Sequence, residues 1–260
     1  MRIASIARFV AVVLALAALA LPSCAPNEAA AQRPYTVQGG FIRDVDGRAV
    51  IMRGVNISGA HKLPPFFDFH QAADYAQVRD DWGLNAVRFL VSWAALEPEP
   101  GNYDEQYIGQ IKERMQWAKD AGLLVVIDMH QDLYGLGFTV NGYTIGNGAP
   151  AWTCDASHYA AFADAYDPST DWFLDYLNPD MAACYDQFWQ SDDLWSHYAN
   201  AVAHLGKALA DNDNVIGVDL MNEPNWGTAE MAKFESQDLQ YFYERIIPTI
   251  REASPRWLMF

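Results

Sequence analysis

Val215-Ile216-Gly217-Val218-Asp219-Leu220-Met221-Asn222-Glu223-Pro224 is the stretch on which the fold turns. Its first seven residues are mostly aliphatic, many of them β-branched, as in a strand buried on both faces. The run breaks at Asn-Glu-Pro, where proline can no longer donate to a ladder. A carboxylate therefore stands at a strand's carboxyl end, the end of parallel α/β sheets and barrels at which ligands bind. Taken alone, Asn222 and Glu223 read equally well as the cap of a following helix, which favours Asn and first-turn acids. The neighbouring segments decide between the two readings.

Working outward, apolar strand-like runs cover 49–56, 85–93 and 123–129, and residues 257–260 open a fifth. Helical patterns separate them over 70–82, 104–121, 194–209 and 231–252. In the second of these, Ile108, Ile111, Met115 and Ala118 share one face. Strict alternation of this kind predicts an α/β fold with a parallel sheet, a (β/α)8 TIM barrel of which about the first four to five units are present. A doubly wound nucleotide-binding sheet would carry a glycine-rich turn after its first strand. Asn56-Ile57-Ser58-Gly59 is no such turn, and Gly135-Leu136-Gly137 lacks the third glycine and the helix. Before the first core strand, 35–50 reads as a hairpin turning at Asp44-Val45-Asp46-Gly47. Gly47 stands fourth rather than sixth from Asp44 and no Glu closes the loop, so a calcium site is not expected.

The chain begins with Arg2 and Arg8 flanking an apolar run over 9–21 and then small residues, the order of a secretory signal over 1–23. That run is too short to cross a bilayer, for which about 20 residues are needed. Leu21-Pro22-Ser23-Cys24 resembles the lipobox of bacterial lipoproteins, which would make Cys24 a lipidated membrane tether; ordinary cleavage near Ala29-Ala30-Ala31 is the alternative. Residues 24–34 read as a tether, and 35–260 as the catalytic barrel. A secreted, cell-surface or periplasmic location follows, and a monomer is expected. Cys154 and Cys184 then remain, either as a disulfide in an oxidising compartment or as two buried thiols. A net charge of −16 excludes nucleic acid and anionic membrane as electrostatic partners.

Each core strand ends in polar residues that a core would waste: Asn56 with His61 and Lys62, Arg88 with Ser92 and Trp93, Asp128 to Asp132, and Asn222-Glu223. A barrel brings these ends to one mouth, where such a ring suits carbohydrate or acyl-transfer chemistry. Arg88 could instead be a structural partner of Asp128 or Asp219. No His-Glu-x-x-His or Cys-x-x-Cys spacing occurs and no Gly-x-Ser-x-Gly, so neither a metal, another cofactor nor a serine nucleophile is expected.

Met52-Arg53-Gly54-Val55-Asn56, Asn85-Ala86-Val87-Arg88-Phe89, Asp128-Met129-His130 and Asn222-Glu223-Pro224, in this order, resemble glycoside hydrolase family 5. His61-Lys62, Asp128 to Tyr134 and Gly148-Ala149-Pro150-Ala151-Trp152 narrow the likeness to the endoglycoceramidases. The resemblance implies a retaining glycosidase that splits the β-glycosidic bond between a sugar and ceramide in glycosphingolipids. It makes Glu223 the general acid/base, Asn222 a contact to the sugar 2-hydroxyl, and Lys62, Arg88, His130, Asp132 and Trp152 substrate contacts. A retaining site needs a second carboxylate about 5–5.5 Å from the acid as nucleophile. In this family it comes from the seventh strand and is not assignable here, so a truncated, inactive fragment of a longer enzyme is expected. The alternatives are a family 5 β-glucanase acting on polysaccharide and a non-catalytic carbohydrate- or lipid-binding surface lipoprotein. The connection over 133–193 is expected to be a long aromatic-rich loop, stapled by Cys154 and Cys184, whose rings mostly form its own small core.

Overall fold

The computed structural model describes residues 34–67 and 69–260. The leader, Cys24 and nearly all of the tether lie outside the described residues. Five parallel strands form the central sheet in chain order: β1 (Gly54–Ile57), β2 (Ala86–Val91), β3 (Leu124–Met129), β4 (Val215–Asp219) and β5 (Leu258–Met259). The order never reverses, so the sheet has no topological switch point. It is singly wound, as the wall of a (β/α)8 barrel is and a doubly wound sheet is not.

Between the strands run α1 (Ala72–Asp80), α2 (Glu105–Asp120), α3 (Ala156–Ala165), α4 (Pro179–Trp189), α5 (Asp192–Ala208) and, before β5, α6 (Gln240–Ala253). The Asp104 side chain accepts from Tyr107 N at the start of α2, and Ser191 accepts from Leu194 N at the start of α5. These caps satisfy backbone donors that a helix start leaves open.

The period-2 alternation of side chains divides the sheet's two faces between packing and chemistry. Val87, Phe89, Val91, Val125, Ile127 and Val218 are buried in one core with Ile108, Ile111 and Met115 of α2 and Val202 and Leu205 of α5. Each such side chain contributes about 1.5–3 kcal/mol on leaving water. Register sets Asn56 opposite Arg88, Arg88 opposite Val126, and Asp128 opposite both Leu90 and Asp219. The polar members of the other face thus lie side by side, bordering a cavity of about 430 Å³ lined by Asn56, Arg88, Val126 and Asp219. Gly217 is required where β4 meets β5, because a Cβ there would sit 2.3 Å from the Leu258 carbonyl oxygen.

Three expectations need correction. The first core strand is Gly54–Ile57 rather than 49–56, since Ala49 bridges back to Arg43 and Val50 N donates to the Ile42 carbonyl. The preceding hairpin, Thr36–Gln38 against Phe41–Arg43, turns at Gly39 and Gly40, and the Asp44–Gly47 turn follows it. The connection over 133–193 is largely regular, holding α3, α4, a short hairpin (Thr139–Val140 with Tyr143–Thr144) and a 3₁₀ segment, Trp172–Leu177, and its buried rings, Phe138, Phe162 and Phe188 among them, join the main core instead of forming one of their own.

Candidate active site

Arg88, in the middle of β2, projects onto the inner face and meets carboxylates from two other strands. Its Nη1 lies 2.7 Å from Asp128 Oδ2, and Nη2 lies 2.5 Å from Asp219 Oδ2. Nη2 also donates to Asn222 Oδ1 at 3.0 Å. Arg88 is therefore the counter-ion of both Asp128 and Asp219, and it fixes the residue before Glu223. The Asn222 amide is oriented from its other end by donation from Nδ2 to the Gln131 carbonyl at 3.1 Å. Its side chain keeps one N–H for a ligand.

His130 follows β3 and bridges two carboxylates, Nδ1 to Asp128 Oδ2 at 2.8 Å and Nε2 to Asp132 Oδ2 at 3.2 Å. Burial disfavours the imidazolium, but the hydrogen bonds and charges of Asp128 and Asp132 outweigh it and raise His130 above the ordinary histidine range. Burial likewise raises Asp128, and the compensation from His130 and Arg88 is incomplete. For Asp132 the balance is opposite. Burial raises it, but His130, Lys62 and Asn147 hold its carboxyl far below the usual carboxylate range.

Lys62 Nζ reaches Asp132 Oδ2 at 2.7 Å from the 3₁₀ turn Gly59–Lys62 that follows β1, and Asn147 Nδ2 donates to the same oxygen at 2.9 Å. Donors from three segments thus converge on Oδ2, and Oδ1 of this ionised carboxylate accepts no hydrogen bond from the described residues. A hydroxyl donor is the ligand such an acceptor suits.

Glu223 is exposed at the end of β4. It has a left-handed backbone, φ 43°, a conformation that costs a non-glycine residue about 1–3 kcal/mol. Leu133 and Tyr134, just after Asp132, are left-handed too, at 53° and 67°. Strain therefore collects on both sides of the mouth. The 133–193 connection, the lid of the site, contributes Tyr176, whose phenol is pushed up to about 12 by burial, with the charges of Asp132 and Glu223 adding to the shift.

Lys62, Arg88, His130, Asp132, Asn222 and Glu223 are therefore brought together. Trp152 stands apart from this ring. Its Nε1 donates to the Glu97 carbonyl at 3.3 Å, and its ring meets those of Trp93 and His197 at 5.6 and 5.1 Å. What it can offer a ligand is ring surface. Cys154 and Cys184 are bonded, with Cα atoms 5.3 Å apart. Of the lid's aromatics, Phe138, Phe162, Tyr176, Phe188 and Trp189 are buried, while Tyr143, Trp172 and Phe173 are exposed. Among the described residues no cluster of His, Cys, Asp and Glu is arranged to hold a metal ion.

The sequence reading missed Asn147. It lies in a lid segment and reaches Asp132 through paired bridges, Asp132 N to Asn147 Oδ1 at 3.1 Å and Asn147 N to Asp132 O at 2.8 Å. Its only sequence signal is its place directly before the Gly148–Trp152 motif.

The family model for cellulase (glycosyl hydrolase family 5) matches residues 43–260. The chain is 26% identical over 262 residues to a glucosylceramidase of Rhizopus delemar, covering 79% of this chain and 38% of that one. It is 26% identical over 220 residues to endoglycoceramidase I of Rhodococcus hoagii, covering 83% and 42%. Among solved structures, endo-glycoceramidase II from Rhodococcus sp. in complex with ganglioside GM3 superposes with a TM-score of 0.75 at 36% identity. That match covers 84% of this chain and 50% of the other. The chain thus spans half or less of the length of these relatives.

Proposed function

Because the chain belongs to glycosyl hydrolase family 5, we propose that the protein is a retaining β-glycosidase that releases glucose or an oligosaccharide from ceramide in glycosphingolipids, with Glu223 as general acid/base. The observation that carries this is Glu223 itself. Among the residues at these strand ends, Asp128, Asp132 and Asp219 are each held by a cation, whereas Glu223 is exposed and without an ion-pair partner among the described residues. A carboxyl that must give up a proton and take one back has to be reachable and uncommitted. The endoglycoceramidase and glucosylceramidase relatives supply the substrate class.

In the first half-reaction Glu223 donates its proton to the glycosidic oxygen while a second carboxylate attacks the anomeric carbon. Ceramide leaves as the alcohol and a glycosyl ester remains. In the second, Glu223 takes a proton from water, whose oxygen displaces the ester. The nucleophilic carboxylate is not assigned among the described residues. Asp132 Oδ1 and Lys62 would hold hydroxyls of the glucose next to ceramide, and the free Asn222 N–H the 2-hydroxyl. The leader-like residues 1–23 and the Cys154–Cys184 bond support an exported enzyme.

The test is to incubate the gene product expressed from its own locus with lactosylceramide and, separately, with a β-glucan. Lactose and ceramide appearing from the first are expected. Oligosaccharides from the glucan alone would replace the glycolipid reading with a polysaccharide one, and no product from either would end the glycosidase reading.

A further inference from the structure

Gln131 lies between the two strained segments, is 7% exposed, and has its side-chain amide fully used. Nε2 donates to the Asn222 carbonyl at 2.7 Å and to the Glu223 carbonyl at 2.8 Å. Oε1 accepts from the Tyr185 hydroxyl at 2.6 Å and from Tyr134 N at 3.2 Å. The amide orientation is fixed by its partners, because two carbonyls can only accept and a backbone N–H can only donate. One amide therefore ties left-handed Glu223 to left-handed Leu133–Tyr134, and through Tyr185 to lid helix α4, beside the Cys184 bond.

We infer that Gln131 is a positioning residue for Glu223, holding the acid/base carboxyl at the angle proton transfer requires and making that angle depend on the lid being in place. This rests on the glycosidase reading of Glu223. Asn222 and Glu223 present consecutive carbonyls to one side only because Glu223 is left-handed, and both N–H groups of Gln131 meet them there. Without these two donors the buried Asn222 carbonyl loses a partner, and the reason for the turn goes with it. Asn222 would remain, since its side chain is held independently by Arg88 and by the Gln131 backbone carbonyl. The loss thus falls on proton transfer rather than on sugar contact. Tyr134 N would also keep a partner, as it lies 2.8 Å from the Tyr185 hydroxyl.

The experiment compares wild type with Gln131→Met, which fills similar space without donors, and Tyr185→Phe, which leaves Gln131 present but removes its orienting hydroxyl. For the gene product, kcat/KM is measured on two β-glycosides of the same sugar, one with an alkyl leaving group and one with dinitrophenolate, which departs unprotonated. Misplacing the acid should lower kcat/KM for the alkyl glycoside by about 100-fold in Gln131→Met and about 10-fold in Tyr185→Phe. The dinitrophenyl glycoside should lose no more than about 3-fold in either. Equal losses on both substrates, or none on either, would overturn the inference, since a merely structural role lowers both together. A second readout does not depend on turnover. In the 260-residue chain labelled with ¹³C at the glutamate carboxyls, and with Glu223 assigned through Glu223→Gln, both variants should move the Glu223 carboxyl chemical shift and no other. An unmoved Glu223 resonance refutes the positioning role even if the enzyme proves not to be a glycosidase. Wild type inactive on both glycosides, with a resonance that does move, instead refutes the glycosidase reading alone.

Discussion

Replacing Arg88 by Met keeps the packing of the side-chain stem but strands two carboxylates. Asp128 is fully buried and loses its guanidinium at 2.7 Å, while the Asp219 side chain is 26% exposed and can regain water. Removing one partner of a buried ion pair typically destabilises by about 3–5 kcal/mol, and the part-exposure of Asp219 places this case near 3 kcal/mol. The lost hydrogen bond to Asn222 adds about 1 kcal/mol. At roughly 2–4 °C per kcal/mol for a chain of this size, Tm should fall by about 8–16 °C at pH 7.5. The pH dependence is the sharper part. Burial already raises Asp128, and without Arg88 its folded-state value rises further above the unfolded one. A raised carboxyl holds its stability at low pH and loses it as pH climbs. The deficit of Arg88→Met measured by calorimetry should therefore shrink towards pH 4, and Arg88→Met/Asp128→Asn should recover at least half of it at pH 7.5. A drop of less than 2 °C, or one of equal size at pH 4 and pH 7.5, would refute the claim that Arg88 is there to neutralise Asp128.

His130 has a folded-state value raised above the unfolded one, so its contribution is fully present below about pH 6.5 and fades as pH rises through the raised value. The Tm difference between wild type and His130→Asn should narrow from pH 6 to pH 9. Glu223→Asn, which suits a left-handed backbone, should raise Tm by about 2–4 °C, equivalent to about 1 kcal/mol; an unchanged or lower Tm argues against strain there. Reducing the Cys154–Cys184 bond removes a cross-link over 30 residues, worth roughly 3–4 kcal/mol in the loop-entropy account, so limited proteolysis with and without reductant should show new cuts confined to 155–183. Gly217→Ala should unfold β4 from β5, since the added Cβ meets backbone rather than a movable side chain, and cross-strand exchange protection at Leu258 should be the first lost.

The sequence shows how far local signals reach. β-Branched runs and a helix face of Ile108, Ile111 and Met115 are local patterns, and they placed the strands, the order of the sheet and the mouth of the barrel. The strand-end residues were legible because polar groups following a buried strand have few other uses, and Arg88 was readable as a partner of Asp128 or Asp219; it serves both. The start of the first strand was misread because Ala49 and Val50, apolar and suited to a strand, pair backwards with the hairpin. Asn147 and Gln131 were missed as working parts for a common reason. Each acts on a residue brought near by the fold, Asn147 on Asp132 across a lid turn and Gln131 on Glu223 across 92 positions. No spacing rule reports such a meeting. The lid hid its helices because their apolar positions are largely aromatic, among them Phe162, Tyr185 and Phe188, which join the core of the sheet and its helices, and the segment so reads as a scattered aromatic loop.

The proposed role of Glu223 requires a double displacement at an anomeric carbon. The most direct measurement is proton NMR of the anomeric signals during the first minutes of lactosylceramide cleavage by the gene product, before mutarotation. The β-anomer of lactose should appear first, and Glu223→Gln should produce none. First appearance of the α-anomer, or β-lactose formed at the wild-type rate by Glu223→Gln, would contradict it.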